Sequence, residues 1–450
     1  MLIPAYVLNC LNTLENAGFP CYAVGGCVRD ALLGLTPHDY DLCTAATPAQ
    51  MKEIFRDYGL VLAGEKHGTV GVITDDGVVE ITTFRTEGDY IDNRHPESVS
   101  FVTDITADLA RRDFTVNAMA YSPARGFVDP FGGQQDLKNK VLRAVGNARE
   151  RFSEDSLRIL RGVRFAVRFD LTPDSDTEKA MVSLAPLMEN LARERVFAEL
   201  CQLLPLVDAQ DLLRYAPILS QVIPEISPTV GFAQHSSHHQ YDVFTHVAYV
   251  TESVASELTL RWAALLHDLG KPASFTLDEN GQGHFYGHAH ISAELANEVL
   301  LRLKAPTALR ERVVFLIKHH MDMITADRKL LRRLLSRYGE EALRQLMSLQ
   351  RADFTSKGVT GDAFDFDEVD AVIADILAQE SCLSLRDLAV NGHDLMALGI
   401  TGTDIGKTLN ALLDAVLEEK LPNEKSTLIE HINATCHSEP ANTLAWESPK

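Results

Sequence analysis

The chain has 450 residues, of which 46% are apolar and 23% charged, and a formal net charge of −21 at pH 7. This composition excludes a disordered chain, the length predicts three or four units of roughly 100–200 residues, and the acidic balance argues against a large nucleic-acid footprint. No apolar run reaches the roughly 18 residues of a membrane span, Met1-Leu2-Ile3-Pro4 does not open a secretory signal, and seven irregularly spaced cysteines without a CxxC pair predict free thiols in a reducing cytoplasm.

In chain order, Tyr6 to Ala17 reads as an amphipathic helix and Cys21 to Val24 as a short strand. Gly25-Gly26 forms a turn, and Val28 to Leu33 opens a helix. Asp39 to Cys43 and Val78 to Phe84 read as strands. From Ser153, a plausible N-cap with Glu154 and Asp155 in the first turn, the helical period takes over and strand patterns almost vanish. Breaks fall at Thr172-Pro173-Asp174, Ile223-Pro224 and Lys304-Ala305-Pro306. The expected fold class is α+β, a small α/β head followed by a long all-α body.

Asp39 and Asp41 stand at i and i+2, so on a strand they face one side and suit Mg²⁺ binding for in-line displacement on a triphosphate. Upstream, Val24-Gly25-Gly26-Cys27-Val28-Arg29-Asp30 places adjacent glycines after a strand. Backbone N–H groups there can approach a phosphate, and Arg29 can clamp it. Between Arg143 and Arg168 the charge reverses, with seven arginines against three acids. Glu154, Asp155, Arg158 and Arg161 span two helical turns, with Arg164 and Arg168 extending the stripe. That spacing equally fits a salt-bridged surface helix. A carboxylate can also accept from the exocyclic amine of a base while an arginine donates to ring nitrogen and carbonyl oxygen.

GGxVRD followed by DxD, together with Asp108-Leu-Ala-Arg-Arg-Asp-Phe-Thr-Val-Asn-Ala118 and Glu154-Asp155-Ser-Leu-Arg158, resembles the tRNA nucleotidyltransferase/poly(A) polymerase family. This is the class II branch of the polymerase β-like nucleotidyltransferases, and the resemblance runs along the whole chain. It implies that Asp39 and Asp41 bind Mg²⁺, with Glu80 the candidate third carboxylate. Gly25, Gly26, Arg29, Arg112 and Asn117 are then nucleotide-binding. Asp155 and Arg158, with Glu154 as orienter, form the amino-acid template that selects CTP and ATP. Arg161 and Arg164 support the nucleotide or its phosphates. Arg111 and Asp113 read equally well as a structural ion pair. The segment Arg85 to Val102 looks like the family's flexible loop, which governs the switch from C to A.

Further on, His267-Asp268 sits on an apolar helix, with His246 upstream and His288, His320 and Asp353 downstream. Imidazole and carboxylate donors on successive helices suit a divalent metal. The order H…HD…H…H…D resembles the HD-domain phosphohydrolase superfamily. It implies a metal core of His246, His267, Asp268 and Asp353, a metal of unknown identity, and His288 and His320 as the extra histidines of two-metal members. His319 or His290 are alternatives. The implied activity is phosphatase or 2′,3′-cyclic phosphodiesterase on RNA ends, the alternative being a degenerate HD fold.

Four units follow: a catalytic head at 1–140, a helical neck at 141–225, an HD-type domain at 226–360 and a helical tail at 361–450. In the tail, Lys407, Lys420 and Lys425 are candidate contacts to tRNA phosphates. The implied function is template-independent addition of CCA to the 3′ end of tRNA from CTP and ATP. An A-adding specialist, a poly(A) polymerase and a chain that is mainly an HD phosphohydrolase remain the alternatives. Oligomeric state stays open.

Overall fold

The computed structural model describes residues 1–87, 99–236, 240–357, 365–379 and 382–436. The N-terminal part is built on one seven-stranded sheet, in the spatial order Gly59–Val61, Thr69–Thr74, Gly77–Thr83, Leu42–Thr44, Cys21–Val24, Ala120–Ser122, Gly126–Val128. All four residues of Cys21–Val24 are buried, which is why this short apolar run takes a central place. The helix Ala5–Asn16 buries Val7, Cys10, Leu11 and Leu14, the i, i+3, i+4, i+7 stripe of an amphipathic helix. Leu42–Thr44 runs antiparallel to Cys21–Val24 and parallel to Gly77–Thr83.

Asp39 and Asp41 precede the strand rather than lie inside it, because ladder pairing begins only at Leu42. Asp41 is nevertheless tied to the end of the central strand Cys21–Val24, its carbonyl accepting from Val24 N–H at 3.0 Å. The expected helix start at Ser153 is also displaced. One helix runs Ala148–Glu154, capped by Asn147, whose side chain accepts from the N–H groups of Arg149 and Glu150. The chain breaks at Asp155 (φ −141°, ψ 100°) and resumes as the helix Leu157–Arg168.

Beyond Ser153 two small strand pairs appear. Thr172–Pro173 pairs with Val141–Leu142, and Thr276–Leu277 pairs with Gly283–His284. The rest of the described body is helical, as expected. The helices Val243–Ser253, Leu258–Leu266, His288–Arg302, Thr307–His319 and Glu340–Thr355 pack on one another, and fully buried Trp262 stacks on Phe197 of the helix Arg193–Leu203. One apolar core runs without interruption from Val7 to Ile376. Residues from Cys382 to Ile432 gather round a separate small core. Among the described residues, no helix is long and apolar enough to cross a membrane.

Gly133 shows how tightly the head is assembled. It opens the helix Gly133–Lys138, and a Cβ there would meet the Thr115 carbonyl oxygen at 2.2 Å and Met119 at 2.9 Å. Backbone cannot yield as a flexible side chain does, so Gly133→Ala should cost about 1–3 kcal/mol through overpacking. Urea unfolding checks this: the midpoint should fall with the slope unchanged, and an unmoved midpoint would show that the contact relaxes freely.

Candidate functional site

The head offers two cavities that meet at Asp41. The smaller, about 340 Å³, is lined by Asp39, Asp41 and Glu80 with Tyr6, His38 and Tyr40. The register Leu42↔Ile81 explains how Glu80 joins the other acids: one residue back along both chains, Asp41 and Glu80 lie side by side. Burial raises the Asp41 carboxyl above its ordinary value, the Glu80 and Asp39 carboxylates add to the rise, and Arg112 opposes it. Three acids converging on one cavity, with one already driven toward its neutral form, fit a bound divalent cation.

The larger cavity, about 480 Å³, is lined by eight arginines and three aspartates. In an acidic chain this local excess of cations marks a site for a polyanion. Gly25 forms its floor with φ +73°, a conformation that favours glycine, and a Cβ there would lie 2.7 Å from Arg112 Nη1. Arg29, only 6% exposed, donates to Asp30 (2.9 and 2.6 Å) and to Asn117 Oδ1 (2.5 Å), and its guanidinium stacks over Phe169 at 4.2 Å. The Asn117 amide in turn donates to Asp113 at 3.0 Å, and Arg161 donates twice to the same carboxylate, at 2.9 and 2.7 Å. Asp113 is thus a structural ion-pair partner, but of Arg161. Arg111 instead donates to buried Asp108, at 3.1 and 3.0 Å.

Asp155 and Arg158 line the cavity by a different route from the one their spacing suggests, and Glu154 stands behind Arg158 rather than in the lining. The break at Asp155 separates the acid from the helix that carries Arg158. Asp155 accepts from Arg195 at 2.8 and 3.4 Å and caps the following helix through the Leu157 N–H at 3.1 Å. Arg158 donates to Glu154 at 2.8 Å and to the carbonyls of Arg151 and Arg111. Arg161 and Arg164 also line the cavity, and both are engaged by buried Glu199, at 3.7 and 2.7 Å. Sequence reasoning missed Arg195 and Glu199, whose partners lie some 35 to 40 positions away. Of the expected flexible loop, residues 88–98 lie outside the described residues.

The helical body assembles the second site. His246 Nε2 lies 2.9 Å from Asp353 Oδ1 and 3.5 Å from Asp268 Oδ2. His267 Nε2 lies 3.3 Å from Asp268 Oδ2. On the other side of that carboxylate, His288 Nε2 is 3.4 Å and His320 Nε2 4.0 Å from Oδ1. Two buried groups result, His246-His267-Asp268 and Asp268-His288-His320, with Asp268 shared. Every one of these histidines turns Nδ1 to a main-chain carbonyl, of Ser356, Ala264, Phe285 and Ile317 in turn. That fixes each ring with Nε2 facing inward, the usual outer support of a metal ligand. His267 Nε2 and Asp268 Oδ1 are buried without a hydrogen bond. Burial lowers His288 and pushes His320 down to about 4, while Asp268 and Asp353 are held well below the carboxylate range by the surrounding histidines and by Lys271 and Lys357. His267 moves the other way: burial opposes its charge, but Asp268 and Asp353 raise it, so an entering cation would displace its proton. The inward Nε2 atoms and ionised carboxylates are donors that fit one or two divalent ions.

His319 and His290 stand outside this cluster, paired with Asp322 and Glu294. Sequence reasoning also passed over Lys271, whose buried ammonium lies 2.7 Å from Asp268 and donates to Gln234 at 2.9 Å. The signal was local, since i and i+3 share a helical face. In the tail, Lys407, Lys420 and Lys425 each pair with an acid: Asp404, Glu418 and Asp394.

The Asp113 carboxylate gives a pH test. Burial opposes its charge, but Arg161 and the donors from Asn117 and Phe114 hold it at about 2. Its contribution is fully present above the unfolded value of about 3.9 and is lost as pH falls through about 2, amounting to about 2 kcal/mol. Asp113→Asn should therefore flatten the loss of thermal stability between pH 5 and pH 2. Melts that decline as steeply as wild type would show that the pair contributes nothing.

Comparison with known proteins follows the same division. Residues 21–143 match the family model of the poly A polymerase head domain, residues 170–229 that of the probable RNA and SrmB-binding site of polymerase A, and residues 238–357 that of the HD domain. The CCA-adding enzyme of Streptococcus thermophilus is 33% identical over 429 residues, covering 95% of this chain and 96% of that one. The CCA-adding enzyme of Latilactobacillus sakei is 32% identical over 439 residues, covering 95% and 97%. Among solved structures, the Bacillus stearothermophilus CCA-adding enzyme in complex with CTP aligns with a TM-score of 0.70 at 26% identity, over 97% of this chain and 100% of that chain. The Thermotoga maritima CCA-adding enzyme complexed with tRNA shares the fold, with a TM-score of 0.57 at 22% identity, over 96% of both chains. Similarity of this extent, falling on a head and a body whose motifs are intact, shows that the chain belongs to the family of CCA-adding enzymes, the tRNA nucleotidyltransferases.

Proposed function

We propose that the head adds C, C and A in turn to the 3′ end of tRNA, from CTP and ATP and without a nucleic-acid template, and that the HD-type body is a separate phosphohydrolase. The observation that carries the first part is the junction of the two head cavities at Asp41. A triphosphate in the arginine-lined cavity presents its α-phosphorus to an RNA end lying against the carboxylates. The 3′-hydroxyl gives its proton to water or to a neighbouring carboxylate, its oxygen bonds to that phosphorus, the bond to the bridging oxygen breaks, and pyrophosphate leaves. Mg²⁺ held by Asp39 and Asp41, with Glu80 beside them, would supply positive charge to the attacking and leaving oxygens.

The chain's own residues do the rest. Arg29 and Arg112 offset phosphate charge above the glycine floor. Asp155 accepts from the exocyclic amine that cytosine and adenine share, and Arg158 donates to the adjoining acceptors. Arg195 and Glu154 keep these two side chains in place before the nucleotide arrives. Arg161 and Arg164, anchored on Asp113 and Glu199, complete the cationic wall. The proposed division is head 1–140, neck 141–225, HD-type domain 226–360 and a tRNA-holding tail 361–450; the separate core supports the last only from Cys382 onward, since Val369, Ile373 and Ile376 pack in the main core.

Incubating tRNA that lacks its terminal CCA with each nucleotide singly and together tests this reading. CTP alone should add two residues, and CTP with ATP three. Long tails from ATP alone would identify a poly(A) polymerase, and a single A only on ends that already carry CC would identify an A-adding specialist. Asp41→Ala should abolish addition and leave phosphohydrolysis, while His267→Ala should do the reverse, checked by both assays and a thermal melt on each variant. Addition by folded Asp41→Ala near the wild-type rate would overturn the carboxylate assignment. Asp155→Ala should raise incorporation of UTP or GTP relative to CTP by roughly 5- to 150-fold, the worth of about 1–3 kcal/mol in one base-edge contact. An equal loss for all four nucleotides would make Asp155 purely an ion-pair partner of Arg195.

A further inference from the structure

We infer that Tyr286, carried on His284, is a base-stacking shelf at the mouth of the HD-type site, the residue by which that site favours phosphoesters that carry a base. The inference rests on the reading of the body as a phosphohydrolase and adds its substrate specificity. Tyr286 is 77% exposed, which is unusual for a large aromatic side chain with no structural demand on it. It does not hang free. Its ring lies parallel to that of His284, with 6° between the planes and 5.3 Å between centroids, and its hydroxyl is 3.4 Å from His284 Nδ1. His284 is fixed from behind by Asp278 at 3.2 Å and by the short hairpin Thr276–Leu277/Gly283–His284. The shelf is thus pre-ordered, with little side-chain freedom left to lose on binding.

Its position gives it a purpose. Tyr286 and His284 line the same cavity of about 410 Å³ as Asp268, His288, His320 and Lys271. Inside lie the ligand histidines and the buried Lys271 ammonium, chemistry for a phosphate. At the rim lies a flat aromatic surface, chemistry for a base. Every base has a π-face, so such a shelf binds nucleotides without demanding one sequence. A small phosphoester without a base has nothing to place there.

Steady-state hydrolysis of adenosine 2′,3′-cyclic phosphate and of methyl ribofuranoside 2,3-cyclic phosphate, which lacks the base, tests the shelf in the full-length enzyme. Tyr286→Ala should raise KM for the adenosine substrate by about tenfold at little cost in kcat. The same variant should leave the already high KM of the base-free substrate unchanged, and Tyr286→Phe should behave as wild type. Calorimetric binding of adenosine 2′-monophosphate to enzyme with its head saturated by CTP needs no turnover, and Tyr286→Ala should weaken it by the same factor. An unchanged KM for the adenosine substrate, or equal rises for both substrates, would overturn the shelf while leaving the hydrolase reading intact. Wild-type enzyme that hydrolyses neither substrate would overturn the hydrolase reading itself, and the shelf with it.

Discussion

The head–neck seam depends on one buried carboxylate. Asp113 ends the helical turn that carries the arginine pair, and it accepts from Arg161 on the neck helix Leu157–Arg168 and from Asn117 in the head. Asn117 then orients Arg29, which reaches across to the aromatic rings of Phe165 and Phe169 on the neck. Opening this chain would leave a buried charge unpaired, which is far more costly than never having buried it. The head cannot tilt against the neck without breaking it. That is how one face of the arginine-lined cavity, built by the head, keeps its distance from the other, built by the helices.

The body solves an opposite problem. In the head, the acids near the reacting groups are crowded without full compensation, as the raised Asp41 carboxyl records. In the body, Asp268 and Asp353 are surrounded by imidazoles and by Lys271 and Lys357, so both stay ionised although buried. A cation entering the head relieves repulsion. A cation entering the body joins a site that already holds positive charge close by.

Local chemistry was legible in the sequence, and long-range partnership was not. The glycine pair, the DxD acids and the histidine-aspartate set could be named because short spacing and residue type specify them. The α+β class followed from the change of period near residue 150. The break at Asp155 escaped because Ser153 resembles an N-cap, whereas the true cap is Asn147, whose side-chain Oδ1 accepts from two backbone N–H groups. The DxD acids read as a strand because their neighbours are β-formers, yet ladder pairing starts only at Leu42. Arg195 and Glu199 carried no signal at all, since what makes them matter is a carboxylate or guanidinium brought near by folding.

On the proposed reading, in which the tail holds RNA, its lysines bear on how salt affects the grip. Lys407, Lys420 and Lys425 already neutralise carboxylates of their own unit. A phosphate that displaces such a carboxylate still sheds the cations condensed on the RNA, but it leaves beside the RNA an acid side chain that draws cations back. The entropy gained from ion release, which makes most nucleic-acid complexes fade steeply as salt is added, is correspondingly diminished. An RNA docked on this unit would lose its grip less steeply with added salt than its number of lysine contacts alone would suggest.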